Sequence, residues 1–244
     1  MIYGVFSDIH GNYEALKAVL DFFRKNEVKS FICCGDLVGY GPQSSECVRE
    51  VMRLKSARVV LGNHDAALTG RLEMRWFNTN AVASLEFARK TMSGAELAWL
   101  ADLPETLETA DFTMFHGSPR KPLTEYMLSE AMFSENLSYW RVSPCFVGHS
   151  HLPVYFRQSE GEPPETDFLL PMAKVRLDGL RYVLNPGSVG QPRDGNPRAS
   201  CGLYDSGRKT FEVFRMDYDA AKTQDLMKAA GLPQVLIERL AFGL

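Results

Sequence analysis

Imidazole side chains are the residues of this chain best suited to chemistry, and all of them follow short apolar segments that are typical of β-strands. They are His10, His64, His116, His149 and His151. Ligands of open α/β sheets bind beyond the carboxyl ends of the strands. The placement therefore predicts one shared site rather than five unrelated histidines.

Oxygen donors accompany these histidines at the same predicted strand ends. Asp8 stands two residues before His10, Asp36 follows Gly35, and Asn63 precedes His64. Each pattern alone is weak, because an Asp or Asn at such a position also caps helices. Five predicted strand ends that all carry oxygen or imidazole donors favour a common metal site.

The donor types indicate which metals would bind. Carboxylate, amide and imidazole groups without thiolate suit Mn, Fe, Zn, Ni or Co. The eight donors exceed what one ion can accept, whereas two ions ~3.5 to 4 Å apart and bridged by a carboxylate would use them. Two divalent ions with Asp8 and Asp36 leave a charge of about +2, which attracts phosphate and activates water. The expected chemistry is phosphoryl transfer to water.

The first 150 residues alternate predicted strands and helices, which is typical of an α/β protein. The apolar positions Leu16, Val19, Leu20 and Phe23 have the spacing i, i+3, i+4 and i+7, which predicts a helix with one buried face. Further helices are expected around residues 48–52 and 82–87. The predicted strands are residues 2–6, 31–34, 58–61, 112–115 and 145–147.

After Pro153 the pattern changes to short apolar segments separated by turn residues, which predicts a second, mainly antiparallel sheet. Residues 218–240 predict two short helices, broken at residues 231–233. No linker separates the halves, so residues 1–244 are expected to form a single domain. The predicted strands of the second half are residues 154–156, 168–170, 182–184, 202–204 and 211–214.

Composition limits the function classes. The 30 acidic and 27 basic residues give a net charge of -3, which disfavours a protein that holds nucleic acid by neutralising phosphates. No apolar stretch reaches the ~18 residues of a membrane span, and the N-terminus has no secretory signal. The five cysteines contain no C-x-x-C pair, which predicts buried thiols and a cytoplasmic location.

The ordered motifs resemble the calcineurin-like metallophosphoesterase family. A further segment, residues 185–193, resembles the small bacterial and archaeal branch of that family. The resemblance implies two packed mixed β-sheets flanked by helices, an αββα sandwich, with a dinuclear metal site at the strand ends. The motifs are Asp8-x-His10-Gly11-Asn12, Gly35-Asp36, Gly62-Asn63-His64-Asp65, His116-Gly117 and Gly148-His149-Ser150-His151.

The resemblance also implies a role for each donor, with manganese as the expected metal and a metal-bridging hydroxide as the nucleophile. Asp36 would bridge two metal ions, and His64 would contact the phosphate and protonate the leaving group. The remaining ligands would be Asp8, His10 and His151 for the first metal and Asn63, His116 and His149 for the second.

One departure from the family pattern concerns protein Ser/Thr phosphatases, which carry G-D-x-V-D-R-G. In this chain Gly39 and Tyr40 stand where the second Asp and the Arg would be, which argues against efficient protein phosphatase activity. The departure also leaves open what orients His64. Asp65 and a backbone carbonyl are the candidates.

Substrate contacts are expected from Asn12, Arg120 and Arg193. For Asn12 the alternative is helix N-capping, and for each Arg it is an exposed structural role. Tyr40 and Tyr126 could stack on a base, or could serve only in packing.

The sequence therefore predicts a phosphodiesterase or phosphatase that acts on small phosphate esters, with nucleotides among the candidates. The alternatives are a dinucleoside polyphosphate hydrolase, a protein phosphatase, a nuclease and a non-catalytic scaffold. The C-terminal helices are expected to pack either on the core or on a second subunit of a homodimer.

Overall fold

The predicted alternation of strands and helices appears in the computed structural model, which describes residues 1–159 and 161–244. The strands are β1 Ile2–Phe6, β2 Ser30–Cys33, β3 Ala57–Val59, β4 Thr106–Glu108, β5 Thr113–Phe115, β6 Cys145–Phe146, β7 Pro153–Gln158, β8 Glu165–Phe168, β9 Lys174–Arg176, β10 Arg181–Pro186, β11 Ala199–Asp205 and β12 Thr210–Met216. The helices are α1 Tyr13–Lys25, α2 Ser44–Arg53, α3 Asn63–Leu68, α4 Thr79–Thr91, α5 Gly94–Ala101, α6 Glu130–Asn136, α7 Ala220–Ala229 and α8 Gln234–Glu238. Short 3₁₀ turns cover Met74–Trp76, Leu137–Tyr139 and Arg239–Ala241.

The described residues form two six-stranded mixed sheets. The first sheet has the strand order β3-β2-β1-β11-β12-β9, and the second has the order β4-β5-β6-β10-β7-β8. Helices flank the two sheets, so the αββα expectation is confirmed.

The expectation that the second half of the chain makes its own antiparallel sheet is wrong. Its strands are shared, because β9, β11 and β12 extend the sheet of β1 to β3, while β7, β8 and β10 extend the sheet of β4 to β6. Without β11 and β10, the buried strands β1 and β6 would each present an open edge. Periodicity within a strand does not reveal which strand will be its neighbour, so the sequence alone could not predict this division.

Aromatic and aliphatic side chains from both sheets fill the space between them. Val5 and Tyr204 from the first sheet pack with Met114 and Phe146 from the second, all with negligible exposure. The rings of Phe146 and Tyr204 meet edge to face with centroids 5.2 Å apart. This core fixes the two sheets against each other.

Helix α1 covers the outer face of the first sheet. Its predicted apolar face is buried at Leu16, Val19 and Phe23, and Phe22 packs on Phe214 of β12. A Cβ on Gly4 of β1 would lie 2.9 Å from the Phe23 ring, so a larger residue there would push the helix off the sheet.

The C-terminal helices pack on the core of the same chain. Met227 of α7 and Leu236 of α8 are buried in one cluster with Tyr40 and Ala81. Of the two expected positions for these helices, packing on the core is therefore the one the structure shows.

All five cysteines are buried and unpaired, as the sequence predicts. Among residues 1–159 and 161–244, no helix has the length and apolarity needed to cross a bilayer.

Candidate metal centre

The loops that follow β1, β2, β3, β5 and β6 come together at one edge of the two sheets. Backbone hydrogen bonds tie the first two loops together beyond their strands, since Asp8 N donates to Gly35 O and His10 N donates to Asp36 O, both at 3.0 Å. The loop after β10 joins them, because Gly190 N donates to Asp8 O at 2.9 Å. The strand ends therefore hold the predicted donors in fixed relative positions.

One group of donors consists of Asp8, His10 and His151. Nε2 of His10 lies 3.1 Å from Nε2 of His151, and the latter atom lies 3.4 Å from a carboxylate oxygen of Asp8. All three residues are almost fully buried. The structure thus brings together the three residues expected to hold the first metal.

The second group consists of Asn63, His116 and His149. Nε2 of His116 lies 2.9 Å from Oδ1 of Asn63 and 3.1 Å from Nδ1 of His149. These are the residues expected to complete the second metal site.

Asp36 stands between the two groups. Its Oδ2 lies 3.5 Å from Nε2 of His10 and 3.4 Å from Nε2 of His116. Its Oδ1 accepts a hydrogen bond from the backbone N–H of His64 at 2.9 Å. One carboxylate oxygen is therefore anchored while the other faces both groups, as a bridging ligand requires.

The spacing within each group suits a shared cation. Ligand atoms about 2.1 Å from one ion, and about 90 to 110° apart around it, lie about 3.0 to 3.4 Å from each other. The distances above run from 2.9 to 3.5 Å. The donor set, with carboxylates, one amide and imidazoles, fits two divalent cations.

Backbone carbonyls fix the tautomers of three histidines. Nδ1 of His10 pairs with Val38 O at 3.0 Å and Nδ1 of His116 with Cys34 O at 2.8 Å. Nδ1 of His151 pairs with Gln191 O at 2.5 Å. Since a carbonyl can only accept, Nδ1 carries the proton in each ring and Nε2 is left to bind a metal.

Strained backbone concentrates at this centre. A positive φ is costly for residues other than glycine, at about 1–3 kcal/mol each. Five of the predicted ligands have φ between 48° and 66°, which turns their side chains into the centre. They are Asp8, His10, Asp36, His149 and His151.

Burial and mutual charge shift the pKa values of the donors. Burial lowers the pKa of His10 and His151 well below the ordinary value, so both rings are neutral. Burial also lowers the pKa of His116, but the Asp36 carboxylate outweighs this effect and raises it to about 9. Burial raises the pKa of Asp8 to about 7. A cation that binds here would therefore displace protons from His116 and Asp8.

The His64 ring is held by packing. It lies edge-on to Phe77 with centroids 4.9 Å apart and at 4.6 Å from Tyr40. Within the described residues its buried Nδ1 has no hydrogen-bond partner, and burial lowers its pKa to about 4. A Cβ on Gly39 would lie 2.4 Å from this Nδ1.

Asp65 does not orient His64, so that expectation is corrected. Its carboxylate accepts hydrogen bonds from the backbone N–H groups of Gly62, Leu37 and Val38 at 2.9 to 3.2 Å. Asp65 therefore ties the loop after β2 to the start of α3. It acts on the backbone that carries Asp36 and His64 rather than on the imidazole.

Two of the expected substrate contacts, Asn12 and Arg120, are engaged with other groups of the chain. The Asn12 side chain caps α1, since Oδ1 accepts from Ala15 N, and its Nδ2 donates to Gly190 O. It is 1% exposed, which leaves no accessible atom for a phosphate. Arg120 pairs with Glu125 and Glu135 and lies outside the recess of the centre.

Arg193 does reach the centre, as expected. It lines a recess of about 120 Å³ together with Asp36 and His64. Its Nη2 donates long hydrogen bonds to Gln191 Oε1 at 3.4 Å and Tyr40 Oη at 3.5 Å, and within the described residues its buried Nε has no hydrogen-bond partner. The group is thus available to an anion.

Sequence reasoning missed the outer wall of this recess. Trp76, Phe77 and Asn78 line it from the segment between α3 and α4, and Ala81 lines it from the first turn of α4. The individual residues of this segment follow no spacing that points to a site. An aromatic pair next to a turn was the only available signal.

Known proteins share this architecture. A buried, two-group donor centre at the strand ends of an αββα sandwich defines a class of metal-dependent phosphoester hydrolases. Residues 1–208 match the family model of the calcineurin-like phosphoesterase superfamily domain. The chain belongs to this family of phosphoester hydrolases, which use divalent metals.

Similar proteins cover nearly the whole chain. Uncharacterized protein MJ0912 of Methanocaldococcus jannaschii is 36% identical, with 98% of this chain and 97% of that protein covered. A metallophosphoesterase crystal structure from Sphaerobacter thermophilus is 37% identical, with a TM-score of 0.88 and coverage of 100% and 99%. The Pyrococcus horikoshii protein PH1004, at 20% identity and a TM-score of 0.81 over 100% and 98% of the two chains, shares the fold.

A shorter match is with an enzyme whose name states its activity. The symmetrical bis(5'-nucleosyl)-tetraphosphatase of Psychromonas ingrahamii is 46% identical over 67 residues. The match covers 26% of this chain and 24% of that enzyme.

Proposed function

We propose that the centre binds two divalent cations and hydrolyses small phosphate esters of the nucleotide type. The observation that carries the proposal is the position of Asp36 Oδ2, at 3.5 and 3.4 Å from the nearest imidazole nitrogen of each donor group. One group would hold the first cation with Asp8, His10 and His151, and the other the second with Asn63, His116 and His149.

Two bound cations would supply positive charge for the phosphate and activate water as the nucleophile. Arg193 would bind a further phosphate oxygen, since its guanidinium lines the same recess. His64 would contact the phosphate and protonate the leaving-group oxygen. The rings of Tyr40 and Phe77 hold the His64 ring in one orientation. These two rings would also exclude water from one side of His64.

We propose manganese as the metal, with Fe, Zn, Ni and Co as the alternatives that the same oxygen and imidazole donors suit. We also propose that residues 1–244 work as one domain, since strands from both halves of the chain share each sheet. The five unpaired thiols are the support for a cytoplasmic location.

The test combines metal analysis with hydrolysis of bis(p-nitrophenyl) phosphate, p-nitrophenyl phosphate and a nucleotide panel in the presence of Mn²⁺. The native protein should bind about two ions per chain and cleave one of these esters. Asp36→Asn should lose metal and activity together, because the Asp36 carboxylate would be a ligand of both ions. Asp21→Asn is the matched control, since Asp21 pairs with Arg24 on the exposed side of α1. A native protein that neither retains metal nor cleaves any ester would contradict the proposal.

A second candidate is hydrolysis of dinucleoside polyphosphates. It is favoured by the partial similarity to symmetrical tetraphosphatases. Release of two identical nucleoside diphosphates from diadenosine tetraphosphate would support it, while cleavage of simple diesters alone would favour the first candidate.

A further inference from the structure

A second recess with aromatic walls adjoins the candidate metal centre. Its volume is about 160 Å³, and it opens beside the recess of the centre. The two recesses share a wall, so a molecule bound in one can extend into the other. The shared residues are Asn63, Trp76, Phe77, Tyr126 and His149.

Trp76 forms the outer edge of this second recess. It lies in the short 3₁₀ turn Met74–Trp76, and 73% of its surface is exposed. The guanidinium of Arg75 lies 6.0 Å from the indole ring. An exposed indole gains none of the free energy that burial of its large apolar surface would provide. Its position at the mouth of a site therefore points to a ligand that covers it.

Tyr126 forms a flat platform on the opposite side. Its ring stacks on the His149 ring with centroids 3.9 Å apart and planes at 12°, while 40% of the residue remains exposed. The neighbouring residues Glu125 and Met127 are buried and fix the backbone on both sides. The platform is therefore rigid before any ligand arrives.

The lining of this recess carries no formal charge among the described residues. Leu72 and Phe77 supply its apolar floor, and Thr124 and Asn63 supply polar atoms. A planar, uncharged ring with polar edges matches the recess.

We infer that this recess, between Trp76 and Tyr126, binds the planar aromatic ring of a phosphate ester whose phosphate lies at the metal centre. The inference rests on the proposed function and assigns the specificity of the same site. The ring could belong to a nucleoside base or to an aryl ester, since the flat face of either ring stacks on aromatic side chains.

The experiment compares two esters with the same leaving group. Thymidine 5′-(p-nitrophenyl phosphate) carries a base, and methyl p-nitrophenyl phosphate does not. If the base occupies the recess, Trp76→Ala should lower the ratio of their kcat/KM values about tenfold, the usual effect of losing one stacking contact. Trp76→Phe should restore most of the ratio. Tyr139→Ala, which removes an exposed aromatic residue elsewhere, should leave the ratio unchanged.

The other outcomes separate the sources of the ring. A loss that is equal for both esters and is restored by Trp76→Phe assigns the recess to the aryl leaving group. No loss for either ester, or an equal loss that Phe does not restore, overturns the inference.

A binding measurement distinguishes this inference from the proposed function. Thymidine 5′-monophosphate should quench the fluorescence of Trp76 in the native protein, whereas inorganic phosphate should not, and Trp76→Phe should lose the response. Quenching without hydrolysis of any ester would contradict the proposed function but would support binding of the ring in the recess. Hydrolysis with neither quenching nor a Trp76 effect would contradict the recess alone.

Discussion

At the scale of single residues, Gly39 and His64 show how a site can hold an imidazole without a carboxylate partner. Gly39 has φ +84° and leaves space for the His64 ring, whose Nδ1 would lie 2.4 Å from a Cβ at that position. Tyr40 and Phe77 close the other sides. Shape rather than a hydrogen bond therefore sets the orientation of His64.

We predict that Gly39→Ala displaces His64 and lowers kcat about tenfold or more, because small misplacements of a reacting group are costly. Gly70→Ala is the matched control: it has φ +80° with no atom within 4 Å of a new Cβ. Both variants pay the cost of a positive φ, about 1 kcal/mol, but only Gly39→Ala should lose activity. Equal kcat values for the two variants, from steady-state assays, would show that the contact with His64 is unimportant.

His64→Ala should keep both metal ions and lower kcat by roughly 10²- to 10⁴-fold, the usual contribution of a group that serves proton transfer in the transition state. Metal content by mass spectrometry and steady-state kinetics measure the two effects separately. Loss of metal in proportion to activity would show that His64 is a ligand instead.

At the scale of elements, a polar network holds the segment between β5 and α6 that carries Tyr126. Glu125 accepts hydrogen bonds from Ser118, Arg120 and Asn136. Burial raises the pKa of Glu125, but these donors outweigh it and lower the pKa to about 2. The network thus positions the platform beside His149.

A lowered folded-state pKa stabilises the protein above the ordinary value of 4.5, and this stability is lost as the pH falls from about 4.5 toward about 2. Glu125→Gln should therefore be less stable than the native protein at pH 7, with the difference shrinking through that window. Urea unfolding as a function of pH measures it. Glu86→Gln, on the exposed face of α4, is the control. A difference that is constant from pH 7 to pH 2 would contradict the role of the Glu125 charge.

Much of the element pattern could be predicted from the sequence, since β1, α1 and the strand-end donors follow apolar periodicity and turn residues. β4 and β9 were missed because three-residue strands such as Thr106–Glu108 carry no apolar run. For Asn12 and Arg120 the sequence left two roles open, because the sequence pattern around a polar residue is the same whether that residue caps a helix, pairs with a carboxylate or binds a ligand.

At the scale of the whole molecule, the donors could be predicted because each loop carries its own motif. Tyr126 was a candidate for stacking on a base, but its position opposite Trp76 could not be predicted, because the two residues line one recess only after the chain has folded, from positions 50 residues apart. The division of the second-half strands between the two sheets could not be predicted for the same reason. Both depend on long-range packing that no local spacing encodes.

Metal binding at this centre should release protons from its ligands. In the metal-free protein, the pKa of His116 is about 9 and that of Asp8 about 7, so protons must leave before cations bind. We predict release of roughly one to two protons at pH 7, and metal affinity that rises with pH until about 9. Calorimetry in buffers of different ionisation enthalpy measures the release. Affinity independent of pH between 6 and 9 would contradict this linkage.

The most direct test of the central claim is anomalous diffraction from crystals of this protein soaked in Mn²⁺. Two anomalous peaks should appear, roughly 3.5 to 4 Å apart, with the Asp36 carboxylate between them and three of the other donors around each. A single peak, or peaks that lie away from Asp36, would contradict the account.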